Sequence, residues 1–195
     1  MGRVRLYMSM SLDGFISGPD DGPEQPLGVR GGRLFNWLDH RLEPGPSGQV
    51  YVEALDTGAV ITGRRTFELA GRWNGDHHDQ VPILVLTHEI PDDDPPGSAR
   101  YVTDAAEAAT LARAGAGERD VMVHGAGAAQ ALLRAGLLDE LEIHLVPVLL
   151  GEGRRLFDHL GPDHVELRLT RTLHAPDVTH LRYAVEGRPA RPIRR

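Results

Sequence analysis

The period of apolar positions changes repeatedly along the chain, and each change marks an element. VRLYMSM (4–10) alternates apolar and polar residues, as a half-buried strand does, and stops at the turn Ser11-Leu12-Asp13-Gly14. Residues 18–32, GPDDGPEQPLGVRGG, carry too much Gly and Pro for regular structure and predict a long loop. In LFNWLDHRL (34–42), Leu34, Trp37, Leu38 and Arg41 recur at helical spacing; EPGPSG breaks the chain, and QVYVEAL (49–55) is helical again. AVIT (59–62) and PILVLT (82–87) are continuous apolar runs, the mark of strands covered on both faces. The first leads through Gly63 into a helix from about Arg64 to Ala70. ARYV predicts a short strand, Thr103 an N-cap for AAEAATLARA, DVMVH (120–124) a strand, and residues 127–135 a helix. LEIHLVPVLL (141–150) predicts a long strand with a bulge or edge at Pro147. VELRLTRTLH (165–174) and VTHLRYAVE (178–186), separated by Ala-Pro-Asp, predict an antiparallel pair.

Strand–helix repeats followed by a strand-rich end predict an α/β fold, its sheet parallel at first and closed by an antiparallel C-terminal hairpin. At 195 residues without internal repeats, one domain is expected over residues 1–187, with a basic, frayed tail at 188–195. Cysteine is absent, which removes disulfides, thiolate nucleophiles and the cysteine zinc site of nucleobase deaminases. Lysine is absent too, so Schiff-base chemistry and a Walker-type phosphate lysine are unavailable. A net charge of −7 argues against nucleic acid or an anionic membrane as the main partner. No apolar run reaches membrane-spanning length and the N-terminus lacks a signal-peptide core, so a cytoplasmic protein is expected.

Two segments carry candidate chemistry. VMVHGAGAAQALL (121–133) runs strand, Gly-x-Gly turn, helix, but it is no Rossmann fingerprint. Gln130 stands at the third glycine position, the turn follows a late strand, and Glu142, the acidic candidate, lies inside a strand. Gly125 and Gly127 nevertheless let backbone approach a ligand, and the helix start aims free N–H groups at an anion. VITGRRTFEL (60–69) makes the same offer with Arg64, Arg65 and Thr66 in the first helical turn. Cations there oppose the helix dipole, so either an anion sits between them or Glu68 and the acidic loops 20–24 and 92–94 neutralise them. Two such helix starts suit a diphosphate cofactor with one further phosphate, as in NADPH.

Together, VRLYMSMSLDGFIS, AVITGRRTFELAGRW, PILVLTHE, DVMVHGAGAAQALL and GLLDELEIHLVPVLLGEGRRLF resemble the dihydrofolate reductases. They are more similar still to the reductase domain of riboflavin biosynthesis, the RibD C-terminal domain family. The resemblance implies a three-layer, dihydrofolate-reductase-like fold with a central, mostly parallel sheet of about eight strands, NADPH across the strand ends, and a homodimer. It implies that Gly63, Arg64, Arg65 and Thr66 hold the cofactor's phosphates and that Thr87 and His88 border the adenosine 2′-phosphate. Gly125, Ala126, Gly127, Ala128 and Gln130 would hold the pyrophosphate, with Ser9, Ile16 and Ser17 beside the nicotinamide. Departures fall on the substrate side. Near Ser47 there is no acid where dihydrofolate reductases grip the pterin, Phe15 replaces the Lys of S-L-D-G-K, and His124 replaces the Glu of E-G-G-G.

For protons, the candidates are His124, at a strand end beside the glycine turn, and Asp13, whose other reading is to fix its own turn. Phe15, Phe35 and Trp37 are the candidate substrate contacts, and Trp73 a candidate rim residue; Phe35 and Trp37 serve equally as core. His77, His78 and Asp79 lack metal-ligand spacing, so no metal is expected. The expected function is NADPH-dependent hydride transfer to a C=N or C=O of a small planar heterocycle, pterin- or pyrimidine-like. The alternative is a nucleotide- or ligand-binding protein on a reductase scaffold.

Overall fold

The computed structural model describes residues 2–161 and 164–187. Its elements follow in the order β1 (Val4–Ser11), β2 (Phe15–Ser17), a 3-10 segment Gly31–His40, α1 (Pro46–Leu55), β3 (Ala59–Gly63) and α2 (Arg64–Leu69). A second 3-10 segment, Gly71–Gly75, leads to β4 (Ile83–Leu86), β5 (Ala99–Val102), α3 (Ala105–Ala116), β6 (Val121–His124) and α4 (Ala126–Ala135). The chain closes with β7 (Glu140–Val146), β8 (Arg154–Arg155), β9 (Glu166–Ala175) and β10 (Val178–Gly187). The basic tail, 188–195, lies outside the described residues.

Eight strands form one sheet in the order β5-β4-β3-β6-β1-β7-β10-β9. All pairs from β5 to β7 are parallel, while β10 runs antiparallel to both β7 and β9. The expected mixed α/β sheet is therefore present, and β2 with β8 adds a small separate ribbon. Helices α3 and α4 cover one face, where Leu6, Ile61, Val123 and Ile143 meet Ala112, Ala129 and Leu132. On the other face Phe67 and Ala54 pack on Val60, Val85 and Met122, and the first 3-10 segment sets Leu34 and Trp37 on Val146 and Val178. Each large apolar side chain removed from water there contributes about 1.5–3 kcal/mol.

Four boundaries differ from the sequence expectations. α1 begins at Pro46, because proline suits the first helical position, where its missing N–H is not needed. Asp104, not Thr103, caps α3, its carboxylate accepting from the Glu107 N–H at 2.8 Å. β7 ends at Val146, since Pro147 has no N–H for the ladder and the chain turns there, Val148 N donating to the Val146 carbonyl at 2.8 Å. The segment expected as a helix over 34–42 is a 3-10 segment over Gly31–His40, with residues 41 and 42 in the turn that follows. At α4 the end is well defined: Gly136 is left-handed (φ 68°), and Leu137 N donates to the Leu132 carbonyl at 2.9 Å, closing the helix.

Candidate active site

β3 sends the chain through α2 toward β4 on one side, whereas β6 sends it through α4 toward β7 on the other. The two strands are parallel neighbours with Thr62 opposite His124, so a crevice opens between their C-terminal ends. A cleft of about 1150 Å³ occupies this end of the sheet. The two glycine turns, some sixty residues apart in sequence, touch at its edge. Gly125 has φ 85° and ψ 151°, a region open essentially to glycine, and a Cβ placed on it would lie 2.2 Å from Thr66 Oγ1. The first N–H groups of α4, at Ala126, Gly127 and Ala128, precede any intrahelical acceptor, and space is open above Gly127.

The arginines of α2 are paired. Arg64 meets Glu68 at 2.7 Å, and Arg65 meets Asp21 at 2.8 Å. Asp21, from the long loop, also faces Arg154 at 3.4 Å. Both arginines thus meet carboxylates, from Glu68 and from the acidic loop 20–24. Asp21 nevertheless shows that Arg65 and Arg154 between them accommodate an anionic group.

The sequence matches the RibD C-terminal domain model over residues 3–181. The chain belongs to the RibD C-terminal domain family. No curated protein matches it closely enough to count as a relative. Among solved structures, a protein named for riboflavin biosynthesis from Shewanella sp. PV-4 is similar, with a TM-score of 0.66 and 22% identity over 95% of this chain and 99% of that one. At that identity the likeness shows the shared fold.

In this RibD C-terminal domain the cleft gathers most residues singled out from sequence. Ser9, Ile16, Ser17, Gly63, Arg64, Arg65, Thr66, Thr87, His88, Ala126, Gly127 and Gln130 border it, as do Phe35, Trp37 and His124. Several are already engaged: Thr87 Oγ1 donates to the Glu89 carbonyl (2.8 Å), Gln130 Nε2 to the Leu156 carbonyl (2.9 Å), and Trp37 Nε1 to Ser9 Oγ (2.9 Å). Gly125 and Ala128 stand behind the lining and shape it. Two other singled-out residues do not line the cleft. Phe15 is buried in β2, off the cleft, its ring under the Arg155 guanidinium at 4.5 Å. Asp13 is also off the cleft: it accepts from Ser11 Oγ (2.6 Å), Gly151 N (2.7 Å) and Leu150 N (3.1 Å). The Ser11 hydroxyl and those N–H groups hold its pKa at about 2, so it fixes the turn and carries no proton at neutral pH.

His124 sits in the cleft but is poorly set up as an acid. Its Nδ1 lies 3.0 Å from the Tyr7 carbonyl, which can only accept, so the ring's one proton is committed there and Nε2 is bare. Burial, with nearby His78, lowers its pKa to about 4, although the Tyr7 bond opposes the shift.

Trp73, a candidate rim residue, does border the cleft, and with His77 and His78 it forms a wall, His77 lying 5.1 Å from His124 between ring centres. Asp21, Pro26 and Leu27, from the long Gly- and Pro-rich loop, line it too. His144 borders the floor from β7. Its signal was in the sequence: Glu140, Glu142 and His144 alternate within an otherwise apolar run, placing three polar side chains on one face. Those positions start rows across the sheet. Glu140 takes Arg3 and Arg5; Glu142 takes Arg182 and Arg171. In the third row Ser9, His144 and His180 stand side by side on β1, β7 and β10. Buried side-chain atoms with no partner among the described residues include Tyr7 Oη, Ser17 Oγ and His144 Nε2, all on residues that border the cleft. An unpaired buried polar atom costs about 1–3 kcal/mol.

Proposed function

We propose that this RibD C-terminal domain is an NADPH-dependent reductase that delivers a hydride to a C=N or C=O of a small planar heterocycle. The carrying observation is the junction of the two glycine turns, Gly125 against Thr66, at one crevice that Arg64 and Arg65 border. Its geometry fits the cofactor. The free N–H groups of α4 and the open space above Gly127 suit a pyrophosphate. Arg64 and Arg65, with Thr87 and His88 on the neighbouring strand exit, suit the 2′-phosphate, and Ser9, Ile16 and Ser17 suit the nicotinamide. Bound NADPH would supply the hydride; the chain's own task is to hold both reactants and exclude water.

Titration of NADPH and NADH by tryptophan quenching tests the reading. NADPH is expected to bind at least about tenfold more tightly, and Arg64→Ala with Arg65→Ala to abolish that preference. Equal, millimolar binding of both nucleotides would sink it. Tight NADPH binding without absorbance loss against pterins, pyrimidines and aldehydes would assign a ligand-sensing protein instead.

A further inference from the structure

Polar rows cross the interior of this sheet, and the row nearest the cleft differs from the others. Both carboxylate oxygens of Glu140 and of Glu142 are engaged by arginines. His144 and His180 are fully buried, their Nδ1 atoms 2.9 Å apart, and His180 Nε2 lies 3.3 Å from Ser47 Oγ. His144 Nε2 has no partner, on a residue that borders the cleft. Trp37, tied to Ser9, packs against both rings at 4.5 and 5.0 Å, and Tyr7 against His144 at 4.3 Å. Such a pair, placed by strand register and braced by aromatic rings, is a preorganised polar end for a ligand.

The charges bordering the cleft divide sharply. Arg64, Arg65, Arg134, Arg154, Asp21 and Glu89 come from α2, α4, the β2–β8 ribbon and loops. What β1, β7, α1 and the first 3-10 segment contribute carries no formal charge: aromatic, aliphatic, serine and histidine side chains. The phosphate-competent end and the acceptor end are thus chemically distinct.

We propose that His144 anchors the acceptor and passes it a proton, the inner end of the cleft taking an uncharged planar heterocycle whose ring nitrogen or carbonyl oxygen meets His144 Nε2. The inference rests on the reductase reading and adds the proton donor that Asp13 and His124 do not provide. With Ser47 donating to His180 Nε2 and His180 Nδ1 donating to His144 Nδ1, His144 carries its proton on Nε2. As the hydride reaches the acceptor carbon, the heteroatom takes that Nε2 proton and the C=N or C=O becomes CH–NH or CH–OH. His144 Nδ1 takes the His180 proton as Nε2 releases its own, and His180 Nε2 takes one from water through the Ser47 hydroxyl. After the product leaves, a cleft water protonates His144 Nε2 while the other shifts reverse and one proton returns to water through Ser47, restoring the starting tautomers. The reduced dinucleotide is the electron donor, and one solvent proton balances the step. Burial, the second ring and the guanidinium groups of Arg171 and Arg182 hold His144 neutral, with His124 adding; burial and Arg171 do the same for His180 against Asp177. Glu142 lies with those arginines and Tyr7 stays protonated, so the relay moves protons between neutral rings.

Calorimetric titration of the protein with pterin and with pterin-6-carboxylate, alongside 15N NMR of the histidine rings, tests the proposal. Pterin is expected to bind at least about tenfold more tightly than its carboxylate and to shift the His144 Nε2 resonance. His144→Leu should weaken pterin about tenfold and leave NADPH affinity unchanged. His180→Gln should leave pterin KM within about threefold while lowering kcat about a hundredfold. Should His144→Leu not fold, His144→Gln and the wild-type resonance shift decide. Absence of pterin binding, a preference for the carboxylate, an unmoved resonance or undiminished binding to the variant each overturns the proposal. Pterin binding that depends on His144 without any NADPH binding would overturn the cofactor reading and leave this subsite standing.

Discussion

Gly125→Ala tests the physical union of the two glycine turns. The alanine meets two penalties. Its backbone must hold φ 85° and ψ 151°, which costs a residue with a side chain about 1–3 kcal/mol. Its Cβ must also lie 2.2 Å from Thr66 Oγ1 and 3.0 Å from Thr66 Cβ, an overlap that costs a further 1–3 kcal/mol or so before neighbours yield. The sum, about 2–6 kcal/mol, is a large part of the 5–15 kcal/mol typical of a domain. Thr66→Ala removes Oγ1 and Cγ2, leaving the 3.0 Å contact, so it should relieve most of the overlap and none of the backbone strain. Urea unfolding of the wild type, both single variants and the double variant then gives a coupling of about 1–3 kcal/mol, with the double variant more stable than additivity allows. Additive effects, within about 0.5 kcal/mol, would show that Thr66 does not rest on Gly125 and would refute the joined site.

Further perturbations follow from the same geometry. Asp21→Asn frees Arg65 and Arg154 from a competing carboxylate, so NADPH should bind about two- to fivefold more tightly by calorimetry, a small gain because these groups are partly solvated. Glu142→Ala strands two partly buried guanidinium groups, although Glu53 still contacts both, and should cost about 3 kcal/mol in urea unfolding, more than Glu53→Ala at its more exposed site. Stability should fall as pH drops from 6.5 toward 4. There the unfolded chain takes up histidine protons while burial keeps His124 and His180 neutral down to about 4, a slope of at most about 1.4 kcal/mol per pH unit for each. Below about pH 4, protonating Asp13 and Glu53 adds to the loss, since the Ser11 hydroxyl and, against burial, Arg171 and Arg182 hold those pKa values at about 2. A urea midpoint that stays flat from pH 7 to 4 would contradict this assignment.

Periodicity alone determined the strand–helix alternation, the buried parallel strands and the terminal hairpin, because burial on one face or two writes directly into residue order. Both glycine turns were legible for the same local reason: a strand, a glycine and a helix start are contiguous. Tertiary structure decided what those turns face. Arg65 finds its partner in Asp21, forty-four residues away, and Gly125, held to glycine by its backbone, is held to it a second time by Thr66 lying against it. Asp13 reads locally as either acid or turn-former; the Ser11 hydroxyl is a local partner, and the approach of Leu150 and Gly151 completes the set that fixes the turn. His144 is the clearest case. Its alternation with Glu140 and Glu142 marks a polar face, but the row it completes with Ser9 and His180 depends on strand register, which a single chain's local pattern does not carry. Elements follow from neighbours in sequence; this cleft is made by neighbours in the sheet.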